Sequence, residues 1–290
     1  MYPAPFEYHR ANSVEEAVSL LGQYEDEAKL IAGGHSLIPL LKLRFAQPKH
    51  LIDVRKIPQL HGIHEADGAV VIGAATTHWL VESSELLKRR LPIVAEAAAQ
   101  IGDPQVRNMG TIGGSLAHAD PAADLPPVML VVNAEMTAVG PKGSRTIKAA
   151  DFFVDLLTSA LAPNEVLTQI RIPIPKAGTG GAYEKYPHPA SRYAMVGVAA
   201  VVDVGGGKIQ SAQVAITGLA TKATRATGVE QALAGQAAND ATLDAAAKRA
   251  AEGLDVRSDM QGSEDYKRNL AVTYTRRALA RALERAGRGA

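Results

Sequence analysis

Two glycine pairs, each flanked by a small hydroxyl residue, constrain this chain more than any other feature. The first lies in Ala32-Gly33-Gly34-His35-Ser36, between the apolar Leu30 and Ile31 and a helical stretch from Leu37 to Leu43. The second, Thr111-Ile112-Gly113-Gly114-Ser115, follows Asp103-Pro104-Gln105-Val106-Arg107-Asn108-Met109. Glycine accepts positive φ and lets another group come close to the main chain. Bare amide N–H groups in such a turn suit a phosphate, above all where the turn opens a helix. They point at the anion, and the helix dipole favours negative charge. One such turn is an ordinary strand-to-helix connection. Two in one chain can hold a diphosphate between them, which implies a dinucleotide.

The totals exclude several other roles. With 290 residues, 47% of them hydrophobic, the chain can bury a sizeable core in two domains or one elaborate one. Lys and Arg number 31 against 30 Asp and Glu, so charge provides no reason to expect nucleic acid. There is no cysteine, hence no disulfide and no thiolate-ligated iron–sulfur cluster on this chain. The opening MYPAPFEYHRANS lacks a signal-peptide pattern, and no apolar run approaches the ~20 residues of a membrane span. The expected location is the cytoplasm.

Patterning predicts the elements. Ser13-Val-Glu-Glu16 has the form of a capping box, and Val14, Ala17, Val18 and Leu21 continue at helical spacing. Lys29 to Ile31 and Leu51 to Val54 read as short buried strands, with a helix from Ser36 to Arg44 between them. Together they form a lobe ending near Pro58. A second lobe carries a strand at Ala69–Ile72, a helix from Leu91 to Ile101 and a long turn bearing the second glycine pair. It continues with a helix from Leu125 to Val132, a hairpin around Pro141-Lys142-Gly143, and a strand from Val166 to Ile172. Lys176 to Gly181 reads as a linker. Beyond it come three strands, Tyr183–Tyr186, Val196–Val204 and Ile209–Thr217. Helices then follow at 228–234, 240–253 and 263–286.

AGGHSLIPLLKLR, IGDPQVRNMGTIGGSLAHADPAADLPP and AYEKY…SRYAMVGVAA resemble the FAD-binding medium subunits of the molybdenum hydroxylases, most of all those of aerobic carbon monoxide dehydrogenases. The resemblance covers essentially the whole chain. It implies an α+β chain with a vanillyl-alcohol-oxidase-type (PCMH) FAD-binding fold, not a Rossmann domain, and no G-x-G-x-x-G follows a strand. Residues 1–175 would bind FAD in two α/β lobes, about 1–58 and 59–175. Residues 176–290, a three-stranded antiparallel sheet with a helical bundle, would cover the flavin. It also implies a small subunit with [2Fe–2S] clusters, a large molybdopterin subunit, and assembly as a dimer of heterotrimers. Electrons would pass from the clusters through FAD to an acceptor such as quinone. Any contact with the inner face of the membrane would be made through the complex.

Roles follow from the resemblance residue by residue. Ala32, Gly33, Gly34, His35 and Ser36 would hold the FAD pyrophosphate through backbone amides and the Ser36 hydroxyl. Hydrogen bonds to a charged group contribute roughly 1.5–3 kcal/mol each. Thr111, Gly113, Gly114 and Ser115 would approach the same diphosphate from the other side, Ile112 packing inward. The family often has Asn at the position of Ser115, so a side-chain contact there would be lost or bridged by water. Ile101 is carried over as a further cofactor contact. Asp124 would meet ribityl or ribose hydroxyls; alternatively it, or Asp120, is a helix N-cap. Leu167 would face the adenine, or simply fill core. Lys185 would stand near the flavin ring, where a cation stabilises the reduced anion; the alternative is a solvent-facing strand lysine. Tyr193 would cover the ring, for roughly 0.5–1.5 kcal/mol of stacking, or be an ordinary strand-edge residue.

No residue of this chain is expected to be catalytic, and none to bind a metal. His35, His78 and His118 with Asp120 match no ligand spacing, and no G-x-S-x-G elbow occurs. The basic end (Lys267, Arg268, Arg276, Arg277, Arg281, Arg285, Arg288) reads as a solvated helix face. Three functions fit: the electron-transfer subunit just described, a free-standing FAD oxidoreductase, or a docking subunit without cofactor. Only about 110 residues follow the Gly178–Gly181 stretch, without an evident acid–base pair, which disfavours the second. The retained glycine pairs disfavour the third. Within the first, the partner's substrate stays open between carbon monoxide and a purine, aldehyde or heterocycle.

Overall fold

Ser13 starts the first helix as its pattern predicts. Its Oγ accepts the Glu16 amide at 3.1 Å, and the Glu16 carboxylate reaches back to the Asn12 amide at 2.7 Å. The computed structural model describes residues 1–256 and 258–288. Three strands, β1 (Glu7–Arg10), β2 (Ala28–Ile31) and β3 (His50–Asp53), form a parallel sheet in the order β1-β3-β2. Helices α1 (Val14–Tyr24) and α2 (Leu37–Lys42) make its crossovers.

A five-stranded antiparallel sheet follows, in the order β4-β5-β10-β6-β7. Its strands are β4 (Ile63–Ala66), β5 (Ala69–Gly73), β6 (Glu135–Gly140), β7 (Gly143–Lys148) and β10 (Val166–Pro173). Between β5 and β6 lie six helices: α3 (His78–Ser83), α4 (Glu85–Arg90), α5 (Pro92–Ala99), α6 (Pro104–Met109), α7 (Ile112–His118) and α8 (Leu125–Val131). After β7 come α9 (Ala149–Phe152) and a small ribbon of β8 (Phe153–Asp155) and β9 (Thr158–Ser159). All seven residues of α8 are buried, so the chain at its start is carried into the interior.

The third sheet has four strands, not the expected three: β11 (Thr179–Pro187), β12 (Ala194–Gly205), β13 (Lys208–Thr217) and β14 (Thr224–Arg225). A two-residue strand shows no alternation, so β14 leaves no trace in the sequence. Helices α10 (Thr227–Leu233), α11 (Asp240–Ala247) and α12 (Glu264–Arg288) complete the chain.

Two expectations are corrected here. Gly180 and Gly181 are not linker but lie in β11, because α12 presses on the strand. A β-carbon on Gly180 would lie 2.0 Å from the Ala282 carbonyl oxygen, and a strand glycine at such a close approach is a packing requirement. The basic face of α12 is not simply solvated. Arg281 bonds Glu96 and Glu184, Arg285 meets Glu96 at 2.9 Å, and Arg276 meets Asp240 at 2.8 Å. Lys267 is buried beside Asp259 at 2.6 Å. These charges tie α12 to α5, β11 and α11; the Arg288 side chain lies outside the described structure.

Candidate functional site

The first glycine segment meets the chain that leads into the second, some 75 residues on. A β-carbon on Gly33 would lie 2.2 Å from the Met109 carbonyl oxygen and 2.6 Å from Gly110 Cα. Only a glycine lets these backbones approach so closely. Gly34 adopts φ +74°, turning the chain from β2 into α2, whose first amide bond runs from Ile38 to the Gly34 carbonyl at 2.8 Å. Ala32 is half-buried at the end of β2, Ser36 is half-buried, and the exposed His35 places Nδ1 3.2 Å from the Gly33 carbonyl. The amides of Gly33, Gly34, His35 and Ser36 find no acceptor among the described residues. Such a run of unpartnered donors is what an anion needs.

The second segment differs from the expectation of bare amides in a long turn. Thr111 caps α7, its Oγ1 accepting the Gly114 amide at 3.0 Å, so the glycine pair forms the first helical turn. The Gly113 amide donates to Ala74 O at 2.8 Å and the Ser115 amide to Thr111 O at 3.0 Å. Those donors are therefore already used. Gly113 is required by packing, because a β-carbon there would meet Ala74 Cβ at 2.5 Å. Gly114 is different: it is exposed, and a β-carbon would meet only Thr111 Oγ1, at 2.8 Å. Glycine in a helix costs about 1 kcal/mol relative to alanine. Here glycine spares the cap, since a β-carbon would press on the Thr111 hydroxyl that accepts the Gly114 amide, while no other element packs against that face. Ser115, half-buried, follows it in the same turn.

A buried charge network joins α8 to β11. Asp124, at the start of α8, caps nothing; its carboxylate accepts Lys185 Nζ at 2.8 Å and the Tyr183 hydroxyl at 2.6 Å. Lys185 also donates to the Gln100 carbonyl at 2.9 Å. Asp124 and Lys185 are 5% and 8% exposed, so the helix-cap and solvent-facing alternatives both fall. Burial pushes the Asp124 carboxyl above its ordinary range, against the pull of Lys185 and Tyr183. The Tyr183 phenol is driven well above its usual value by burial and the adjacent carboxylate. Asp120 closes its own turn instead of capping α8, accepting the Ala122 amide at 2.8 Å. Sequence reasoning missed Tyr183. The available signal was its spacing, two residues from Lys185 on one face of β11.

Tyr193, 44% exposed in the turn between β11 and β12, stands close enough to the first glycine segment for Ser36 to act on its phenol. Burial and the nearby Asp120 raise its phenol, and Ser36 acts the other way. The third sheet thus arrives at the loop that the first sheet presents. Leu167 lies in the core of the second sheet on β10, and the half-buried Ile101 packs on the same core after α5.

From the sequence, His78 reads only as a histidine that fits no metal-ligand spacing. It is 4% exposed at the start of α3, its amide bonded to Gly110 O at 2.9 Å and its Nδ1 without a partner. Burial, assisted by His35 and Arg107, lowers its ring from 6.5 to about 4. Between those values the unfolded chain binds a proton that the folded chain refuses. Stability should therefore fall as pH drops through this window, by about 3 kcal/mol at its lower end. Urea unfolding at stepped pH should show this slope, and His78→Leu should flatten it. An equal slope in both proteins would contradict the assignment.

Against known proteins, residues 4–175 match the family described as the FAD binding domain in molybdopterin dehydrogenase, and residues 181–282 match the CO dehydrogenase flavoprotein C-terminal domain. The carbon monoxide dehydrogenase medium chain of Hydrogenophaga pseudoflava is 45% identical, over 96% of this chain and 97% of its own. The 6-hydroxypseudooxynicotine dehydrogenase complex subunit alpha of Paenarthrobacter nicotinovorans is 39% identical, over 99% and 97%. Among solved structures, carbon monoxide dehydrogenase from Hydrogenophaga pseudoflava, in a form lacking the Mo-pyranopterin moiety, superposes with a TM-score of 0.95 at 46% identity. That match covers 98% of this chain and 99% of the other.

Proposed function

The chain belongs to the family of FAD-binding subunits of molybdopterin dehydrogenases, and on that premise we propose that it is the electron-transferring flavoprotein subunit of a molybdenum-containing hydroxylase complex of the carbon monoxide dehydrogenase type. The observation that carries this reading is the close approach of the first glycine segment to Met109 and Gly110, which lead into the second, with four unpartnered amides on one side and the exposed face of Gly114 on the other.

The residues present fit an FAD. Gly33, Gly34, His35 and Ser36 supply donors for a pyrophosphate, and the bare Gly114 allows it to pass close. The contribution of the second segment is space and the Ser115 hydroxyl, since its amides are already bonded. Asp124, Lys185 and Tyr183 form a fixed polar wall, and Tyr193 offers an aromatic face that screens the site from solvent. When bound, FAD supplies a carrier able to accept electrons singly and release them as a pair. On this reading residues 1–175 grip the cofactor and 176–290 cover it. Having no cysteine, the chain depends on a small partner for [2Fe–2S] clusters and on a large molybdopterin partner for substrate oxidation. A quinone is the proposed acceptor, and a dimer of heterotrimers the proposed assembly. Among the described residues no helix is long and apolar enough to cross a membrane.

The direct test is Gly114→Val. The added β-carbon presses on the Thr111 cap at 2.8 Å and meets no other element within 4 Å, so the fold should survive at about 1 kcal/mol of lost capping while flavin content drops by at least about tenfold, a loss of 1.4 kcal/mol or more. Full flavin content in this variant would remove the second segment from the site. Carbon monoxide should bleach flavin absorption in the assembled complex and leave the isolated subunit unchanged. Bleaching by the isolated chain would favour a free-standing oxidoreductase.

A further inference from the structure

The geometry points to a second site, on the first sheet: a divalent-cation site of the zinc class formed by Glu7, His9 and His50. Alternation along β1 puts Glu7 and His9 on one side of the strand. Parallel pairing sets Glu7 directly opposite His50 on β3. Tyr24 of α1 fixes both rings, stacking on His50 with centroids 3.7 Å apart and 11° between planes, and on His9 at 5.0 Å.

The donor atoms form a small triangle. His9 Nε2 and His50 Nδ1 are 3.0 Å apart, and one Glu7 carboxylate oxygen lies 3.8 Å and 3.5 Å from them. A hydrogen bond between the rings explains the first distance. It does not explain the other two, which exceed the usual range. A tetrahedral ion with bonds of ~2.0–2.2 Å requires its donors ~3.3–3.6 Å apart, and the three edges bracket that spacing. The His9 and His50 side chains are 22% and 13% exposed and Glu7 is 73% exposed, so an ion can enter from solvent and keep one position for water. Two imidazoles and a carboxylate favour zinc or its neighbours over magnesium or calcium. The bound ion would join the strand nearest the N-terminus to the centre of its sheet. Binding only to the folded chain, it would raise stability.

The test uses tag-free, flavin-loaded protein, stripped with chelator and titrated with zinc by calorimetry, with metal content measured after gel filtration. One equivalent per chain is expected, with a higher unfolding midpoint. Affinity should fall by at least about tenfold in His9→Gln, His50→Gln and Glu7→Gln, with flavin content unchanged. No saturable binding, or one equivalent retained in both histidine variants, would overturn the site. If either histidine variant fails to fold, Glu7→Gln decides, since its side chain is exposed: unchanged zinc affinity there overturns the proposal as well.

Discussion

Asp124→Ala is expected to destabilise the protein by about 3–5 kcal/mol, because it leaves a buried ammonium without its counter-charge. Lys185 Nζ lies 2.8 Å from the lost carboxylate and keeps only the Gln100 carbonyl, while the buried Tyr183 hydroxyl loses its acceptor. Lys185→Met should cost less. The carboxyl it leaves behind is already pushed above its ordinary range by burial and can become neutral by taking up a proton. The double variant Asp124→Ala with Lys185→Met should recover part of the loss, since removing both members of a buried pair leaves no uncompensated charge. Urea unfolding of the four proteins forms a double-mutant cycle whose coupling energy measures the pair. Flavin content should fall in every variant, because the proposed cofactor wall includes this network at the junction of α8 and β11. A loss below about 1 kcal/mol in Asp124→Ala would mean that water reaches this pair and that the wall is not dry.

Gly33→Ala is the second large effect, and it should spare the fold. One added carbon would sit 2.2 Å from the Met109 carbonyl oxygen and 2.6 Å from Gly110 Cα, both main-chain atoms without freedom to rotate away. The first segment and the Met109–Gly110 backbone must separate by about an ångström to restore contact distance. Flavin held between them should then be lost by at least about tenfold, with far-ultraviolet circular dichroism unchanged. Gly22→Ala is the control: it sits at helical geometry with nothing within 4 Å of the added carbon. That substitution should be neutral or slightly stabilising, as alanine is the better helix former. Equal flavin content in Gly33→Ala and Gly22→Ala would show that the close approach is not part of the site.

Much of this was legible in the chain itself. The capping box at Ser13, the glycine turn after β2 and the proline-led α8 depend on residues within one helical turn of each other, and each formed where its pattern lies. The same reasoning failed where a distant element intervened. Gly180 looks like linker until α12 is placed against it. The Gly113 amide looks free until β5 delivers the Ala74 carbonyl. Lys185 looks solvent-facing until α8 brings Asp124 beneath it. The Glu7, His9 and His50 cluster needs the register of two strands that are separate in sequence.

By itself the sequence determined the local turns, the apolar periodicities and the two small-residue segments, and these sufficed to point to a dinucleotide and to the family. Tertiary structure alone decided which amides remain without partners, which charges neutralise each other and which glycines are obligatory. The reason is physical: a turn is selected by its own few residues. The state of a donor or a charge is set by whatever atom arrives within about 3 Å, and that atom usually comes from far along the chain.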